Sequence, residues 1–149
     1  MSGLAALLAG RKSVGVYHWS SPMRTSDIRH CAVHAHWRCV VLDTIEAADD
    51  ASFHEAVAAA FDLPESYAGS RDALVDALRD SAGPEGAQTL VVWEGWATLA
   101  KADPATVRGV VDVLTERSGQ PSPFAVVLHG PGPDLGLTEL DQRPGQAAV

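Results

Sequence analysis

The sequence predicts a single α/β domain: a small, mostly parallel sheet of three to four strands with helices packed on it. Three observations carry that reading. Apolar runs without polar alternation recur in "RCVVLDT", "TLVVW" and "FAVVL", as in strands covered on both faces. Segments of helical periodicity separate them, the pattern of a sheet layered with helices. The chain has 149 residues, of which 46% are hydrophobic, enough for one core and too few for two.

The elements follow in order. Residues 1–12 open with "MSGLAALLAG", apolar but short, and Arg11 and Lys12 follow that run instead of preceding it. A secretory signal has the reverse order, so a frayed or partly helical N-terminus is expected. "SVGVYHWS" (13–20) alternates and is rich in β-formers, which predicts an edge strand. Ser21 or Thr25 can cap a helix through about His34, with Ile28, Cys31 and Ala32 inward. These two elements form an N-terminal extension (13–36) to a core spanning 37–130. In the core, "RCVVLDT" reads as a strand buried on both faces. Ser52 with Glu55 makes a capping box for a helix whose stripe is Phe53, Val57, Ala60 and Phe61, closed by Pro64. "SYAGS" is a loop, Ser70 an N-cap, and Arg71–Asp80 a helix with Leu74, Ala77 and Leu78 inward. "SAGPEGAQ" is an exposed loop and Thr89–Trp93 a buried strand. Asp103 caps a helix that has Pro104 at its first position and stops at Gly119, with Val107, Val110, Val111 and Leu114 inward. Phe124–Leu128 is the last buried strand. Residues 131–149, rich in Pro and Gly, read as a flexible tail.

Charge narrows the function classes. The net charge is −8, concentrated in residues 43–116, which hold 15 acidic groups against four basic ones. Phosphates need Lys and Arg, so direct nucleic-acid binding is not expected. A cationic partner is, steered over a Debye length of about 10 Å. No apolar run approaches the roughly 20 residues that span a bilayer, and a cytoplasmic monomer is expected. Cys31 and Cys39 make no disulfide framework. In "HCAVHAHWRC", His30 and His34 are four apart, but Cys31 points about 100° away from His30 on a helix, so no metal site is expected. Of Trp19, Trp37, Trp93 and Trp96, Trp96 is the best placed for a binding platform, although core aromatics near strand ends are commoner. Glu94 reads as structural. No catalytic residues and no cofactor are expected: neither a nucleophile with its base nor a carboxylate pair falls in a predicted cleft.

One feature resists a purely structural reading. Asp72, Asp76 and Asp80 fall four apart on one short helix, where like charges repel by a few tenths of a kcal/mol per pair. The block containing them, "FDLPESYAGSRDALVDALRD", resembles the signature of the barstar family, intracellular protein inhibitors of a secreted ribonuclease. The likeness rests on Leu63-Pro64-Glu65, Tyr67, Asp72-Ala73-Leu74, Asp76 and Leu78. Downstream, "LVVWEGW", "VVDVLTER" and "PFAVVLHG" resemble the family's central strand, third long helix and last strand, so the likeness runs from Cys39 to Gly130.

The resemblance implies a protein that plugs the cationic active site of a basic ribonuclease with carboxylates standing in for RNA phosphates. It assigns Asp72 and Asp76 as the helix carboxylates, Asp76 central. Tyr67 is the loop aromatic, Ser70 the residue ahead of the helix, Val75 the residue between the two carboxylates, and Glu116 a peripheral acid on a later helix. Ser66, Ala68, Ser70 and Val75 stand where the family pattern has an aromatic, glycine, asparagine and a second aromatic. A different ribonuclease, or another cationic protein toxin met by an immunity-like protein, is therefore as compatible as the prototype target.

Overall fold

The computed structural model describes residues 3–67, 69–80, 88–120 and 122–140. Five strands are described: β1 (Val16–Trp19), β2 (Trp37–Asp43), β3 (Gln88–Glu94), β4 (Phe124–His129) and the two-residue β5 (Thr138–Glu139). They form one sheet in the order β2-β3-β4-β1-β5, and every pairing is parallel. Among the described residues six helices surround it: α1 (Gly3–Leu8), α2 (Thr25–His34), α3 (Asp50–Phe61), α4 (Arg71–Asp80), α5 (Trp96–Ala102) and α6 (Pro104–Ser118).

The period-two geometry of a strand divides the apolar runs between two cores. In β3, Val91 and Trp93 join one core while Leu90 and Val92 join the other. The first core packs Val40, Leu42, Val126 and Leu128 against Phe53 and Val57 of α3, Leu74 and Leu78 of α4, and Val107, Val110 and Leu114 of α6. The second packs Tyr17, Trp19, Trp37, Ala125 and Val127 against Leu4 and Leu7 of α1, Ile28 and Ala32 of α2, and Leu140. Three layers result, helix, sheet and helix. The α/β class and parallel sheet agree with expectation, with more strands than the three to four anticipated.

Several expectations are corrected. The expected edge strand is internal: β1 lies between β4 and β5, while β2 stands at one edge of the sheet. Its apolar run reflects helices on both faces, as expected, although Cys39 and Val41 remain half-exposed. The cap of α3 is Asp49, whose carboxylate accepts from the Ser52 amide at 2.8 Å, so Ser52 lies inside the first turn. Thr25 does not cap α2; its hydroxyl donates to Glu94 at 2.8 Å. Of the frayed or partly helical N-terminus expected, the helical form is found from residue 3 onward: α1 buries Leu4 and Leu7, and the Trp37 indole donates to the Leu8 carbonyl at 3.1 Å. Nor is the tail loose throughout. Leu140 is buried and its amide donates to the His18 carbonyl. A single leucine after a run of Pro and Gly closes the second core there, a signal too short for periodicity to reveal. Helix α5 was unforeseen, because seven residues give hardly two turns of pattern. Most of the loop predicted over Ser81–Gln88, and residues 141–149, lie outside the described residues. Among the described residues, no helix is long and apolar enough to cross a membrane.

Candidate partner-binding surface

The loop between α3 and α4 is built from its ends inward. Asp62 takes a left-handed conformation (φ 53°) as α3 stops, and the Leu63 amide reaches back to the Ala58 carbonyl at 2.9 Å. Pro64 then prevents continuation, and the Tyr67 amide closes a turn onto the Pro64 carbonyl at 3.0 Å. Gly69 carries φ +66°, a backbone that glycine adopts without strain, with His54 beneath it. Ala68, the residue before it, lies outside the described residues. Ser70 acts as the N-cap, its Oγ accepting from the Ala73 amide at 3.1 Å.

Tyr67 is half-buried and faces inward at its polar end. Its hydroxyl meets His54 Nδ1 at 2.6 Å, and Asp50 Oδ1 lies 3.3 Å from Nε2 of the same imidazole. A tyrosine hydroxyl can donate to Nδ1 while Nε2–H faces the carboxylate, so Tyr67, His54 and Asp50 form a chain from loop to α3. Burial first, and then the Asp50 charge, push the Tyr67 phenol up to about 12. The ring therefore positions the loop and presents only part of its surface outward. Sequence reasoning missed His54, since one histidine after Phe53 on an apolar stripe gives no sign that a loop will cross it.

Helix α4 exposes its acidic side. Leu74 and Leu78 are buried, Val75 is half-buried against the first core, and Asp72 and Asp76 project to solvent. Asp76 Oδ1 stands 3.6 Å from Arg79 Nη1, but both side chains are largely exposed, 70% and 61%, so the pair is loose and screened. Asp72 has no ion pair among the described residues. The side chain of Asp80 is not described.

What holds α4 is its neighbour α6. Arg71 lies across Gly109 so closely that a Cβ there would fall 1.8 Å from Nη2. At the other end, buried Arg117 donates through Nε to the Leu78 carbonyl at 3.0 Å and through Nη1 to Ser122 O at 3.1 Å. Its guanidinium also sits 4.6 Å from the Phe124 ring centroid. Burial, and then the Arg38 charge, lower its basicity. The two helices thus run side by side in the same sense. Glu116 follows Gly109 by two turns, so it stands exposed on the flank of α6 that borders α4. The structure brings Asp72, Asp76 and Glu116 to solvent, places Val75 at the seam, and turns the Tyr67 hydroxyl and Ser70 Oγ to local duties.

Other sequence candidates fall elsewhere. All four tryptophans are buried, Trp96 at 1% exposure, so the platform reading fails: each indole fills one of the two cores. Glu94 is structural, accepting from Thr25 and pairing with His129 Nδ1 at 2.5 Å, while His129 Nε2 donates to the Ser21 carbonyl at 2.9 Å. His30 and His34 are exposed, with stacked rings 6.3 Å apart. Cys31 and Cys39 are free thiols, and burial pushes Cys39 up.

A family model described as Barstar (barnase inhibitor) matches residues 37–129, from the first residue of β2 to the last of β4. No curated protein matches the chain.

Proposed function

The chain belongs to the barstar family, and on that premise we propose that it inhibits a basic ribonuclease by occluding its cationic active site with the outward face of α4. The observation that supports this best is the contrast within α4 itself. Its apolar side is locked into the core through Leu74, Leu78 and the Arg117 bridge, while Asp72 and Asp76 stand in solvent with no firm partner of their own. A carboxylate so placed keeps its hydrogen-bonding capacity for an incoming guanidinium or ammonium. Asp76 occupies the phosphate position, Asp72 flanks it, and Glu116 meets a cation at the rim. Such an interface buries near 800 Å² per partner.

A second reading keeps the fold and changes the target: an immunity-like or regulatory protein for a different basic protein. It is favoured by Ser66 and Val75 where aromatic anchors stand in the family pattern, and by the inward hydroxyl of Tyr67. Titration of a barnase-type ribonuclease with the purified protein, following RNA cleavage, separates the two. Stoichiometric loss of cleavage, weakened in Asp76→Ala, supports the first. Undiminished cleavage, with capture of another cationic protein that Asp76→Ala releases, supports the second.

A further inference from the structure

We propose that His30 and His34, on the outer side of α2, form a two-histidine chelate for a late first-row divalent ion: Ni²⁺, Cu²⁺ or Zn²⁺. Both residues lie in the N-terminal extension, ahead of the family match at 37–129. The site does not belong to the α4 face and stands independently of the function proposed for it.

The helix sets the geometry. Ile28 and Ala32 fix its inner side, fully buried in the second core. His30 and His34 are exposed, and a spacing of four places them on one side, a turn apart. Their rings are nearly parallel, with centroids 6.3 Å apart and 16° between the planes. The other histidines of the regular elements are committed: His18 to Glu139, His54 to Tyr67 and His129 to Glu94. His30 and His34 have only each other; neither makes a hydrogen bond or ion pair among the described residues. Rotation of these exposed rings about χ1 and χ2 brings one nitrogen of each to a shared ion at about 2.0–2.1 Å.

The donors define the ion. Two imidazoles at i and i+4 are the pair with which a helix holds zinc in metalloprotease motifs. Imidazole nitrogen suits copper, nickel and zinc, whereas Mg²⁺ and Ca²⁺ take oxygen. Asp27, three residues before His30, is exposed on the same side and adds negative charge a turn away. Among the described residues no three His, Cys, Asp or Glu side chains gather to hold an ion, so this is not a closed structural centre. Cys31 and Cys39 pack partly against the second core and take no part. The chain supplies two ligands and leaves the other positions to water or to a donor from another molecule. An ion held there ties the last turn of α2, which ends at His34 and Ala35 without a glycine cap.

The test is calorimetric titration of the full chain with Ni²⁺, Zn²⁺ and Mg²⁺ in a non-chelating buffer at pH about 7.5, where acid does not compete for the ligands. His30→Ala and His34→Ala are run in parallel; alanine is the best helix former, so both keep α2. His36→Asn is the control, since His36 is exposed just past the helix at φ 67°, a conformation asparagine tolerates. Saturable binding of one Ni²⁺ or Zn²⁺ is expected, unchanged in His36→Asn and absent with Mg²⁺. Either alanine variant should bind about a hundredfold more weakly, because the second nitrogen acts intramolecularly. Saturating Zn²⁺ should also raise the Tm of the parent and not that of His34→Ala. Absence of saturable binding, alanine variants that bind as the parent does, or equal weakening in His36→Asn overturns the proposal.

Discussion

Two charged surfaces of this molecule treat their side chains in opposite ways. At the carboxyl edge of the sheet, Glu94, His129 and Thr25 hold one another, as do His18 and Glu139, with the Ser21 and Gly130 carbonyls accepting from Nε2 of the two rings. On α4, Asp72 and Asp76 stand beside nothing firmer than an exposed Arg79 at 3.6 Å. The Glu94 cluster joins the N-terminal extension to the family-matched core, and the His18 pair joins it to the segment that follows. The α4 set adds almost nothing to the fold. Charge satisfied internally serves stability, and charge left to solvent remains available to a partner.

This contrast can be broken experimentally. The largest effect is expected from Glu94→Ala, which strips the Thr25 hydroxyl and His129 Nδ1 of their shared acceptor. Loss of about 3 kcal/mol, read as a fall of roughly 9 °C in Tm, is expected. A variant as stable as the parent would mean that the extension is held by its apolar contacts alone.

Next comes Asp76→Ala, whose effect should fall on binding. An inhibited ribonuclease should be bound on the order of 30-fold more weakly, about 2 kcal/mol. Association of the parent should also slow as salt rises, because the encounter is steered across open solvent. A salt-independent association rate in stopped-flow measurements would argue against electrostatic occlusion.

Tyr67→Phe comes third. It removes the link to His54 and should cost about 1 kcal/mol in a denaturant titration. It also carries a pH signature. The folded phenol sits at about 12, above its ordinary value of 10, so its contribution is complete below pH 10. That contribution is lost as pH rises from 10 through 12. The corresponding alkaline decline in stability should shrink in Tyr67→Phe, and an unchanged decline would place its origin elsewhere.

The smallest effect sharpens the comparison most. Replacing Asp76 by alanine should alter stability by no more than about 0.5 kcal/mol, with relief of repulsion from Asp72 offsetting the loss of the Arg79 contact. Loss of several kcal/mol in the same chemical melt would show that α4 depends on that carboxylate, contrary to its exposure.

The residues explain which features were legible. Uninterrupted Val and Leu in β3 and β4 announce strands covered on both faces, and the pair Asp103-Pro104 announces the start of α6, because both signals are local. The acidic side of α4 was legible too, since Leu74 and Leu78 define the inner side and the aspartates must then lie opposite. Lateral position in the sheet was not. β1, expected at an edge, lies between β4 and β5, because its pairing with Thr138 and Glu139 depends on residues far along the chain that no alternation pattern reports. Gly109 in mid-helix signals close approach of some kind, but nothing near it names Arg71 as the visitor.

By itself, then, the chain determined its element types, its acidic outer helix and its kinship, all of which depend on residues within a few turns of one another. Only tertiary structure decided that the termini complete a second core, that Tyr67 turns its hydroxyl to His54, and that Glu94 joins the extension to the core. Those outcomes rest on contacts between residues dozens of positions apart. Such pairings are selected by the fit of whole surfaces, and no local pattern encodes them.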